Sequence, residues 1–157
     1  MIRFARRALF VAAAAAAGAA TFAGPLQASA PAGRYTISAG MVYDTKTKLT
    51  WQQSFSPSTM AWADAKTYCA GIGSTLGGTG WRLPTVKELA TLIDNTLATG
   101  PLIDTTAFPN TPSTWFWSST QQAGSSTIAW LVAFANGSVN ISYKTSAIQV
   151  RCVRGGT

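Results

Sequence analysis

Trp81-Arg82-Leu83-Pro84-Thr85-Val86-Lys87-Glu88 is the stretch on which the reading of this chain turns. Thr85 stands three residues before Glu88, the spacing of a capping box. The threonine hydroxyl can accept from the Glu88 amide, and the glutamate carboxylate can accept from the Thr85 amide. This predicts a helix starting after Thr85, with Val86, Leu89, Ala90 and Ile93 inward and an end near Asp94-Asn95. Just upstream, Gly77-Gly78-Thr79-Gly80 reads as a tight connection. It lacks the Gly-Lys-Ser/Thr and G-x-G-x-x-G patterns that would make it a phosphate cradle.

Working outward towards the N-terminus, Ala61, Ala65, Tyr68, Cys69 and Ile72 form one apolar helical stripe. Pro57-Ser58-Thr59 is expected to open that first helix, and Gly71 and Gly73 to end it. Before it, Met41-Val42-Tyr43 and Leu49-Thr50-Trp51 are strand candidates around an Asp44 to Lys48 turn. Towards the C-terminus a proline- and threonine-rich loop runs from Leu97 to Ser113. Strands are predicted over Trp115 to Ser119, Ile128 to Phe134, Ser138 to Tyr143 and Ala147 to Arg154, with Asn136-Gly137 as a hairpin turn. Helices first and antiparallel strands second describe an α+β domain. There is no internal repeat.

The first 30 residues read as a secretory signal peptide. Arg3, Arg6 and Arg7 precede an alanine-dominated apolar run, and Ala28-Ser29-Ala30 fits the small-x-small cleavage pattern. The run is too short to span a membrane, so no span is expected after cleavage. Residues 31–40 read as a short leader and 41–157 as one domain. The protein is therefore expected to be exported: periplasmic, at the cell surface or secreted. Of the net charge of +7, the signal accounts for three basic residues, leaving a mild positive balance. No Lys/Arg run of the nucleic-acid type occurs, and that partner is not expected. In an oxidising compartment the two cysteines, Cys69 and Cys152, should form a disulfide joining the first helix to the last strand. In the chain-entropy model such a closure stabilises by about 4–5 kcal/mol.

Catalytic groups are scarce. The chain has no histidine, which rules out Ser-His-Asp and Cys-His arrangements, and its cysteines are assigned to a disulfide. Of the carboxylates, Glu88 is assigned to a cap, and Asp94 with Asp104 is a pair without a supporting motif. No metal site and no cofactor are expected. Six tryptophans remain as the chief resource for binding, because an indole offers an apolar face and an N–H donor. Trp62, off the helical stripe, and Trp115, at the mouth of the long loop, are the candidate ligand-binding aromatics. Lys46, Lys48 and Lys144, all near turns, would form a cationic patch if those turns cluster. Trp81, Arg82, Pro84, Glu88, Trp117 and Arg151 are read as structural.

Tyr68-Cys69, Trp81-Arg82-Leu83-Pro84-Thr85, Trp115-Phe116-Trp117-Ser118-Ser119-Thr120 and Val150-Arg151-Cys152-Val153-Arg154 form a spaced set. It resembles the C-terminal domain family of the Legionella collagen-like protein, over roughly Met41 to Arg154. The resemblance implies a C-type lectin-like fold, with two helices on a curved antiparallel sheet and a helix-to-last-strand disulfide. It also implies a binding module for glycans, with anionic or sulfated polysaccharide favoured. The Glu-Pro-Asn and Trp-Asn-Asp motifs of calcium-dependent lectins are missing, so calcium is not expected. Two other readings stand beside this one. The first is a protein-binding or surface-adhesion module of the same fold. The second is an enzyme related to the formylglycine-generating superfamily, whose reactive-cysteine arrangement is missing here.

Overall fold

The computed structural model describes residues 30–155, so the expected signal peptide lies, apart from Ala30, outside the described residues. The domain is α+β, but its strands form two antiparallel sheets instead of one curved sheet. The first contains β1 (Tyr35–Ser38), β2 (Met41–Asp44), β3 (Leu49–Gln52) and β7 (Val153–Arg154), in the order β1-β2-β3-β7. The second contains β4 (Trp115–Gln121), β5 (Ile128–Ala133) and β6 (Val139–Tyr143), in that order. Both expected hairpins form. Asp44 accepts from the Lys46 amide at 2.9 Å in the β2–β3 turn, and Gly137 has φ +72°, the conformation glycine adopts without a steric penalty.

Residues 31–40 are more than a leader, because they supply the edge strand β1. Long-range contacts hold it there. Tyr35 packs edge-on against Phe108 at 5.3 Å, and Arg34 pairs with the buried Asp44 at 2.9 Å. Burial pushes the Asp44 carboxyl up, but Arg34 and the Lys46 and Thr47 amides outweigh it and hold the group below its ordinary value.

Helix α1 is Trp62–Gly71, beginning after the expected Pro57 to Thr59 start. Met60 is instead bridged to Ile148, which keeps the preceding chain extended. The predicted stripe is correct, with Ala65, Cys69 and Ile72 buried. After it a short turn, α2 (Gly73–Leu76), takes the place of a clean glycine stop. The capping box of α3 (Val86–Ala90) forms as expected, with Glu88 N–H to Thr85 Oγ1 at 3.2 Å and Thr85 N–H to Glu88 Oε2 at 2.7 Å. However, α3 has five residues and stops well before Asp94. The Leu92 and Ile93 amides bond back only three residues, tightening the chain into turns, and the Asp94 amide goes to the Leu102 carbonyl. The expected second helix is therefore a single capped turn and a half. Among the described residues no helix is long and apolar enough to cross a membrane.

The segment before β7 joins the two sheets, so the expected strand from Ala147 to Arg154 is mostly a shared seam. Ile148 bridges Met60, Gln149 bridges Phe116 of β4, and Val153 bridges both Arg82 and β3. Cys152 is bonded to Cys69 here, as predicted. Two apolar clusters flank the seam. One holds Trp51, Leu89, Ile103, Phe108, Phe116 and Phe134, and the other Cys69, Trp81, Trp117, Leu131, Val150 and Cys152. Strand alternation divides Phe116 from Trp117 between them. Each large apolar side chain so buried contributes roughly 1.5–3 kcal/mol relative to exposure.

Candidate functional site

The best-defined surface constellation centres on Trp62, the first residue of α1. Its position depends on an irregularity in β4: the register with β5 shifts between Trp117 and Gln121. In this irregular stretch the Ser118 carbonyl accepts from the Trp62 indole N–H at 2.8 Å. The Trp62 backbone amide donates to the Lys144 carbonyl at 2.9 Å, so the start of α1 and the chain after β6 are tied together. The half-buried ring is thus fixed in place without being covered on every side.

Two ammonium groups lie against this ring. Lys66 Nζ is 3.8 Å from the ring centroid and Lys144 Nζ 4.2 Å. Both distances suit a cation–π contact. Lys144 also donates to Gln121 Oε1 at 2.8 Å and to the Ser126 carbonyl at 2.7 Å, which fixes its charge. Among the described residues the salt bridges are Arg34–Asp44 and Arg82–Glu88, so no carboxylate neutralises either lysine. Tyr143, beside Lys144 in sequence, is 65% exposed. The arrangement is a small, positively charged surface with a fixed aromatic centre.

The expected three-lysine patch does not assemble. Gly155 lies against the Lys48 carbonyl, whereas Lys144 lies beside Trp62. Pairings of Thr50 with Arg154, Ser56 with Val150 and Met60 with Ile148 run between those two places, a span of roughly 20 Å of extended chain. Lys46 and Lys48 are exposed at the β2–β3 turn, at the far end from Lys144. Sequence reasoning missed Lys66. Its signal was available, because Lys66 stands four residues after Trp62, the spacing at which helical side chains meet. Trp115 is half-buried and packs against the second apolar cluster.

Trp81 is buried and donates to the Gly77 carbonyl at 2.9 Å, while Trp117, fully buried, donates to the Met60 carbonyl at 2.9 Å. The Pro84 carbonyl accepts from the Ser119 amide at 2.7 Å. Arg82 grips Glu88 with two bonds of 2.8 and 2.7 Å and also reaches the Gly155 carbonyl at 3.1 Å. Arg151 is fully buried and bonds the Ser54 carbonyl at 3.3 Å and Thr111 Oγ1 at 2.8 Å.

The carboxylates serve local turns. Asp94 Oδ1 accepts from the Thr96 amide at 2.9 Å, and Asp104 Oδ1 from the Thr106 amide at 2.9 Å. Among the described residues no three side chains of the His, Cys, Asp and Glu types come together as a metal site would require.

The model of the Lcl C-terminal domain family matches residues 40–154. A search of curated proteins returned no match. Among solved structures, the crystal structure of botrocetin is similar at 13% sequence identity and a TM-score of 0.46, covering 79% of this chain and 98% of that one.

Proposed function

We propose that this chain, which belongs to the Lcl C-terminal domain family, is an exported, non-catalytic binding module of lectin-like fold for anionic polysaccharide. The supporting observation is the Trp62 ring with the Lys66 and Lys144 ammonium groups 3.8 and 4.2 Å from its centroid and no paired carboxylate. Two positive charges held at one ring favour a sulfate or carboxylate group. Such binding weakens as salt screens the charges. The absence of histidine and the use of Glu88, Asp94 and Asp104 in local hydrogen bonds support a role without turnover.

The test is binding of the full chain to a heparin-like sulfated polysaccharide over a salt series. Lys66→Gln with Lys144→Gln should weaken binding at low salt by tenfold or more and flatten the salt dependence. The Lys46→Gln, Lys48→Gln pair should do neither. Unchanged affinity and slope in the Lys66/Lys144 variant would remove this reading.

A second reading, a surface-protein partner, is favoured by β6. This edge strand carries Val139 at 47% and Tyr143 at 65% exposure. An exposed strand edge offers unpaired backbone groups to another chain. Loss of a protein partner on Val139→Lys, with polysaccharide binding retained, would establish it.

A further inference from the structure

A cleft of about 480 Å³ lies between the chain after β3 and the end of α1. Its wall includes Phe55, Pro57, Ile72 and Leu76, with Gln52, Ser54, Tyr68 and Thr75 as polar members and no charged side chain. The cleft faces away from the Trp62 surface, because Tyr68 and Gly71 are six and nine residues further along α1. At 100° per residue they are turned well away from the Trp62 side of the helix.

The polarity of this cleft is set by a chain of hydrogen bonds that starts at the disulfide. The Cys152 amide donates to Gln52 Oε1 at 3.2 Å. That contact orients the nearly buried amide of Gln52, so that its Nε2 donates to the Tyr68 hydroxyl at 2.9 Å. The Tyr68 oxygen is then an acceptor, and its own proton has no acceptor among the described residues. Each bond in such a chain polarises the next. The run therefore ends in a directed O–H donor at the wall of an open apolar cleft. The Ser54 and Thr75 hydroxyls stand at the same wall.

We propose that this cleft is a second binding site, for one neutral pyranose ring of a saccharide. A sugar ring has an apolar face for the Phe55 and Tyr68 side and oxygen atoms that accept from the Tyr68 hydroxyl. The wall offers a charged group no counter-ion. The site is independent of the proposed anion surface and survives if that one fails. Together the two would let one domain read a charged and an uncharged unit separately.

Gly71 provides a clean way to close the cleft. A Cβ added at this exposed lining residue meets no atom within 4 Å, and the backbone there is ordinary helix, so a larger side chain can be placed at the cleft's wall without a clash. The experiment is amide NMR titration of the folded full chain with methyl α-glucoside, methyl α-galactoside, methyl α-mannoside and N-acetylglucosamine. At least one should shift the amides of Tyr68, Gly71 and Thr75, equally at low and high salt. Gly71→Leu should abolish the shifts. Tyr68→Phe, which keeps the ring and removes the donor, should weaken binding about tenfold. Lys66→Gln and Lys144→Gln should leave it unchanged. No response to any of the four sugars would overturn the proposal. So would an equal response in Tyr68→Phe, since the occupant would then be an apolar group that ignores the hydroxyl.

Discussion

Arg82 and Arg151 sit in two short motifs of similar appearance, yet their charges are accommodated in opposite ways. Arg82 has 38% of its side chain exposed and holds Glu88 in a two-bond ion pair. The pair stabilises both charges. The hydrogen bonds that Arg82 donates to Glu88 raise Arg82, and Arg82 with the Thr85 amide overcomes burial to hold Glu88 below its ordinary value. Arg151 has no exposed surface and, among the described residues, no carboxylate partner. Its guanidinium lies 4.7, 5.7 and 5.9 Å from the ring centroids of Phe108, Phe116 and Phe134, and its Nη1 has no hydrogen-bond partner among the described residues. Burial lowers it to about 9. One arginine is held by charge and the other by packing, cation–π attraction and two neutral acceptors. Their contributions to stability should therefore respond to different perturbations.

The largest effect separating them should come from Arg151→Ala. It empties the space between three phenylalanines and leaves Thr111 and the Ser54 carbonyl without their donor. A loss of about 3–5 kcal/mol in denaturant unfolding is expected. Arg151→Met refills the volume without the charge and should cost less than about 1.5 kcal/mol. If Met proves as damaging as Ala, the charge itself is needed and the contrast with Arg82 fails.

Next in size is Glu88→Gln, which weakens the ion pair but preserves an acceptor for the cap. Given the exposure of Arg82, about 1 kcal/mol is expected, read from the same denaturant midpoints.

The pH dependence sharpens this. Glu88 and Asp44 have lowered folded values, so their stabilisation is complete above the ordinary values of 4.5 and 3.8 and is lost as pH falls through the folded ones. In Glu88→Gln the acid-side loss should shrink, whereas in Arg151→Met it should match the parent. The smallest effect should be that of Lys66→Gln with Lys144→Gln, within about 0.5 kcal/mol per site in thermal unfolding. A larger loss would make the Trp62 cluster a structural clamp.

Features set by neighbours in sequence were legible from the chain alone. The capping box of Thr85 and Glu88, the turn at Asn136-Gly137 and the stripe through Ala65 and Cys69 each follow from spacing. So did the disulfide, because two cysteines in a chain read as exported leave little alternative. What escaped depends on distant partners. Strand β1 is set by Phe108 and by the pairing of Arg34 with Asp44, and α3 is short because Asp94 is drawn to Leu102. The candidate site was half legible. Trp62 and Lys144 both stand out as candidates in the sequence, but their meeting depends on the Ser118 carbonyl and on a seam closed across about 80 residues. Without that seam, Lys46 and Lys48 looked equally eligible.

The bond between Cys69 and Cys152 also determines how the domain would behave under tension. Force applied between residues 30 and 155 travels along the chain to Cys69, crosses the sulfurs and leaves from Cys152. Residues 70–151 carry none of the load once the ends are taut. The first structure to yield is β1, an edge strand that can peel from β2 one pair at a time. Extension stops at the covalent link after roughly 40 residues of contour, about 140 Å, and the second sheet, of β4, β5 and β6, lies wholly on the shielded side. The domain is thus built as an extensible lead ahead of a locked body.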